Sequence, residues 1–119
     1  MQVIFDPKPE YLRVIVRRRE TVEEIKATLP AIVEQARKHG LRRLLLISEE
    51  SNPVFRVQQF DLAGWLERLV EDKVEKTALV SDSAEVFASH QYIEFLARQR
   101  GAPLRAFRDE KSALEWLLA

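Results

Sequence analysis

The chain contains no cysteine, and that absence removes disulfide frameworks, thiol nucleophiles and cysteine-held zinc together. Glycine is nearly as scarce. With 3 glycines in 119 residues there is no Gly-rich loop to cradle a phosphate and no Gly-x-Ser-x-Gly nucleophile elbow. A charge of one sign is lacking too: 19 basic residues balance 19 acidic ones, so no net field attracts nucleic acid or an anionic membrane surface. No apolar run approaches the about 18 residues of a membrane span. The opening Met1-Gln2-Val3-Ile4-Phe5-Asp6 has neither the basic region nor the apolar core of a signal peptide, and a cytoplasmic location is expected. The two histidines, His39 and His90, show no His-Glu-x-x-His spacing, so neither a metal nor another cofactor is expected.

What is present describes an ordinary globular chain. Hydrophobic residues make up 46% and charged residues 32%. At 119 residues, one domain spanning 1–119 is expected, able to bury about two thirds of its unfolded surface around a single core.

The order of apolar runs and caps over residues 74–118 points to the fold class. Val74, Ala78, Leu79 and Val80 form an apolar run, and Ser81, Asp82 and Ser83 supply capping side chains. Gly101 and Pro103 then stop a helix before Leu104, Arg105, Ala106 and Phe107 begin another strand, which makes a βαβα unit. Upstream, Val3, Ile4 and Phe5 make a short strand closed by Pro7 and Pro9. Residues 11–17 follow with Leu12, Val14 and Val16 on one face and Tyr11, Arg13, Ile15 and Arg17 on the other. Thr21 and Glu24 form a capping box, after which Val22, Ile25, Leu29, Ile32, Val33 and Ala36 share a helical face up to Gly40. Pro30 is predicted to kink that helix locally.

Leu44, Leu45, Leu46 and Ile47 are apolar on both faces, the pattern of a central parallel strand covered on both sides. A helix over about residues 57–70 is predicted to bury Leu62, Ala63, Leu66, Leu69 and Val70. The next would bury Val86, Phe87, Ile93, Leu96 and Ala97, and the last, capped by Asp109, would bury Ala113, Leu114, Leu117 and Leu118. The expected architecture is α/β: a five-stranded mixed, mostly parallel sheet with four helices in the order β-β-α-β-α-β-α-β-α, its crossovers right-handed.

The segments Lys76-Thr77-Ala78-Leu79-Val80-Ser81-Asp82 and Phe107-Arg108-Asp109-Glu110-Lys111-Ser112-Ala113-Leu114-Glu115-Trp116-Leu117, in this order and separation, resemble the closing half of the SpoIIAA-like family. The resemblance implies a small bacterial domain of STAS fold, related in shape to the lipid-binding SEC14 domain, in a group whose biochemical roles are mostly unassigned. The related anti-sigma-factor antagonists carry a serine phosphorylated at the start of their second helix, in an Asp-Ser-Ser-Gly-type motif. Here the corresponding stretch reads Asp61-Leu62-Ala63-Gly64, with both hydroxyls replaced by side chains that accept no phosphate. A phosphorylation switch is therefore not expected there, and Asp61 is accounted for as an acid at the positive end of a helix dipole.

Ligands of open parallel sheets lie beyond the carboxyl ends of the strands. Those ends carry Arg17-Arg18-Arg19, Ser48-Glu49-Glu50-Ser51-Asn52, Ser81-Asp82-Ser83 and Arg108-Asp109. Ser48, Glu49, Ser81, Asp82 and Ser83 are the candidate polar rim of a binding site and Trp65 its apolar anchor, with no catalytic residue assigned. Competing structural roles are clear for several of them: Asp82 or Ser83 for capping the following helix, Trp65 for the core, the arginine run for a solvated strand end. His90, four residues before Glu94, reads as a surface contact, and His39 as a cation at the negative end of a helix. The function expected is a non-catalytic STAS-like module binding a protein partner or a small apolar ligand. Nucleic acid is not expected as a partner, homodimerisation is left open, and a small enzyme using the strand-end carboxylates and serines is the remaining alternative.

Overall fold

A computed structural model describes residues 1–52 and 62–119, apart from the side chains of Val22, Glu23 and Lys26. Five strands, β1 (Gln2–Pro7), β2 (Leu12–Arg17), β3 (Arg43–Glu49), β4 (Lys76–Ser81) and β5 (Leu104–Phe107), form one sheet in the order β1-β2-β3-β4-β5. The first pair is antiparallel and the others are parallel. Among the described residues three helices connect the parallel strands, α1 (Val22–Lys38), α2 (Leu62–Glu71) and α3 (Ala84–Gln99), and a fourth, α4 (Glu110–Leu117), follows β5. The expected α/β architecture with a five-stranded mixed sheet is thus present.

Adding parallel strands in one direction through crossovers of one hand places every connecting helix on the same face. Ile25, Leu29, Ile32, Val33 and Ala36 of α1, Leu62, Trp65, Leu66 and Leu69 of α2, and Ala97 of α3 accordingly pack with Leu12, Val14, Val16, Leu44, Leu46, Leu79 and Leu104. The other face receives α4, whose Ala113 and Leu117 pack on Ile15, Leu45, Ile47, Ala78 and Val80. The period-2 alternation of each strand sorts its side chains between the two cores, and β3 is buried on both sides.

The helix ends are built from the residues their geometry requires. Thr21, Ser83 and Asp109 accept the backbone N–H groups of Glu24, Val86 and Ser112 at 3.4, 3.2 and 2.8 Å. At the other end, α1 and α3 finish in Schellman turns on Gly40 and Gly101, with φ of 65° and 72°. The same turn closes α2 on Lys73, a side-chain-bearing residue held at φ 58°.

Several expectations are corrected. The buried stripe of α2 runs through Leu62, Trp65, Leu66 and Leu69. Val70 is 44% exposed and Ala63 half-buried, because the stripe follows the 3.6-residue period through position 65. On α3 the buried set is Val86, Ser89, His90 and Ala97, while Phe87, Ile93 and Leu96 are half-buried. Leu118 lies past the end of α4 and is exposed. The expected helical span at residues 57–61, Asp61 included, lies outside the described residues, as does the side chain of Val22.

Candidate functional site

The register aligns Val16, Ser48 and Ser81 across β2, β3 and β4 at the carboxyl end of the sheet, on the face covered by α1, α2 and α3. Below this row residues of the three helices and the sheet line a partly open cavity of about 60 Å³. Among the described residues its walls are mostly apolar, with Val16, Ile25, Leu29, Ile32, Leu46, Leu62, Trp65, Leu79 and Ile93. Its polar residues, Arg19, Ser48, Ser89 and His90, belong to the end nearest the carboxyl edge of the sheet, where β2 and β3 finish.

Arg19 reaches this position because the chain leaving β2 reverses its alternation. Arg18 has φ 56°, in the left-handed region that non-glycine residues rarely occupy. Its own side chain stays exposed while that of Arg19 turns inward to 7% exposure. The segment is clipped to the loop after β3. Arg18 N–H donates to the Glu49 carbonyl at 3.0 Å, Arg19 N–H to Ser51 Oγ at 3.2 Å, and Asn52 N–H to the Arg19 carbonyl at 2.9 Å. The Arg19 guanidinium donates to the Asn52 carbonyl. Burial pulls this guanidinium below its ordinary pKa, against the raising influence of Glu24. The expected solvated strand end therefore describes Arg17 and Arg18 but not Arg19.

His90 is likewise interior, at 5% exposure, and the expected surface contact with Glu94 is absent. Glu94 instead accepts the Ala106 N–H at 2.8 Å and pairs with Arg98 at 3.2 Å. Burial, and then the positive charge of Arg19, lower the His90 pKa to about 3, so the ring is neutral near pH 7. Its Nε2 lies 3.5 Å from Ser48 Oγ, and its Nδ1 is buried without a hydrogen-bond partner.

The candidate residues divide between two levels. Ser48 and Trp65 line the cavity. Trp65 is 6% exposed and donates its indole N–H to the Leu29 carbonyl at 3.1 Å, so it is an inner wall and not a surface anchor. Ser81 is buried, with Oγ 3.4 Å from the Ser83 carbonyl. Glu49, Asp82 and Ser83 do not reach the cavity lining. Glu49 pairs with Arg17 at 3.3 Å, Asp82 accepts the Glu50 N–H at 3.0 Å, and Ser83 caps α3. Capping therefore falls to Ser83, and Asp82 pins the neighbouring loop.

Arg19 and His90 complete the site; the sequence marked the arginine run as able to hold an anion but favoured a solvated strand end, and it read His90 as a surface contact. His90 had a readable signal, since 86, 90, 93 and 97 fall on one helical stripe. Arg19 had none short of the backbone reversal at Arg18.

The Ser48–His90 contact is long for proton transfer, and the Nδ1 that an orienting acid would engage has no partner. No cluster of three or more metal-ligating side chains occurs among the described residues, and none of their helices is long and apolar enough to cross a membrane. No family model matches the chain, and no curated protein sequence matches it.

Proposed function

We propose that this chain is a non-catalytic binding module of the STAS-like, SpoIIAA-like kind that holds a small, mostly apolar molecule between its sheet and the α1–α3 layer. The supporting observation is the cavity itself, an apolar chamber with convergent polar groups confined to one end. The occupied strand-end groups point the same way, because Glu49, Asp82 and Ser83 are each engaged in holding the fold. The resemblance in element order supports the class, and Leu62 and Ala63 carry no hydroxyl to accept a phosphate where the related antagonists have serines.

The test is a titration of ¹⁵N-labelled protein with alcohols, amides and acids of three or four carbons. Saturable shifts clustered on Ser48, Trp65, Ser89 and Ile93 support the reading. A panel in which no compound gives saturable shifts overturns it.

A second reading, a homodimer through α3, is favoured by Tyr92 and Phe95, exposed at 37% and 52% one turn apart. Sedimentation at increasing concentration tests it, with Phe95→Ser expected to abolish any association.

A further inference from the structure

The polar end of the cavity holds a buried cation that no carboxylate among the described residues matches. Arg19 presents five N–H donors, and its guanidinium contact within the described residues is the Asn52 carbonyl. Glu24 acts on it through space without an ion pair. A buried charge in apolar surroundings is costly unless an opposite charge and hydrogen bonds compensate it. Beside it, His90 offers Nδ1, buried and without a partner.

We propose that the cavity takes a short-chain carboxylate, its anionic group held by the Arg19 guanidinium and by His90 Nδ1–H, its alkyl end lying against Leu29, Trp65 and Ile93. The inference rests on the reading of the cavity as a small-molecule site and names the class of its occupant.

Three observations carry it. The first is charge: Arg19 and His90 line the same chamber, and the guanidinium fork matches the two oxygens of a carboxylate in one plane. The second is tautomer chemistry. If the Ser48 hydroxyl donates to Nε2, the ring's proton resides on Nδ1, which makes the unpartnered atom a donor suited to an anion. The third is size. A pocket of about 60 Å³ has room for about four to six water-sized groups, which propionate or butyrate would fill. A phosphate, with no alkyl part, would leave the apolar walls without a counterpart.

The experiment compares butyrate, butyramide and 1-butanol on the wild-type protein at pH 7, by calorimetry and by ¹⁵N shifts. Butyrate is expected to bind about tenfold or more tighter than its amide, a difference of about 1.4 kcal/mol. Its shifts should centre on Ser48, Ser89 and His90. In Arg19→Gln, shown folded by its amide spectrum, the preference for the acid should vanish while weak binding of the alcohol persists. Equal binding of all three compounds by the wild type overturns the carboxylate assignment and leaves the cavity reading standing. Binding of none overturns both. Butyrate binding that shifts only surface residues, or that keeps its preference in Arg19→Gln, overturns the assignment as well. The comparison on unaltered protein holds even where Arg19→Gln does not fold.

Discussion

The indole nitrogen of Trp65 and the backbone carbonyl of Leu29 lie 3.1 Å apart, a hydrogen bond that fastens α2 to α1 from inside the core. Trp65→Phe keeps an aromatic ring but removes the donor and part of the volume. A loss of about 1–3 kcal/mol is expected, from the missing bond plus the space left behind. Urea unfolding followed by circular dichroism measures it, and a change below about 0.5 kcal/mol would show the contact to be incidental.

Acid stability should carry the mark of His90. The unfolded chain takes up this proton near pH 6.5, whereas the folded protein resists it until about 3. Between those values the unfolded state binds more protons, so stability falls as pH falls, by up to about 1.4 kcal/mol per pH unit from this group. In His90→Gln that contribution disappears. Subtracting the two stability curves isolates it from the carboxylates, and a difference that stays flat from pH 6.5 to 4 would contradict the buried neutral ring.

Asp82 and Ser83 are neighbours in sequence with separate duties. Ser83→Ala removes the cap from Val86 N–H and should cost about 1 kcal/mol. Asp82→Ala releases only the exposed Glu50 N–H, which water can satisfy, and about 0.5 kcal/mol or less is expected. Thermal melts of the two variants rank them; the reverse order would return capping to Asp82.

Lys73 occupies the C′ position of α2 with φ 58°, where α1 and α3 use glycine. Lys73→Gly relieves that conformation at some entropic expense in the unfolded chain, and a net gain of up to about 1 kcal/mol is expected. A lowered melting temperature would mean that the lysine side chain contributes more than its backbone costs.

Strands and helices were legible because each obeys its own period. The alternation of Leu12, Val14 and Val16 placed a face, the unbroken Leu44 to Ile47 run identified the doubly covered strand, and Thr21 and Gly40 bracketed a helix. The site was only half legible. Ser48 and Trp65 were marked by position, but the polar end depends on Arg19, whose inward turn follows from one left-handed residue that no composition rule specifies. His90 was misassigned because its chemistry was weighed by its neighbour Glu94 and not by its place on the stripe with Val86 and Ala97. Asp82 was grouped with the caps because its partner, Glu50 N–H, belongs to a loop 32 residues away in sequence.

The strand order has a consequence for how the chain is made. As synthesis proceeds from the N-terminus, β1 and β2 can pair first, and each later strand then meets an edge that already exists. No strand has to be inserted between two others. The sheet can therefore be extended one βα unit at a time behind the ribosome, with loops closed over short stretches of chain. The exception is α4, which follows the fifth strand and folds back over β3 and β4, covering a face that stays bare until all five strands have been made.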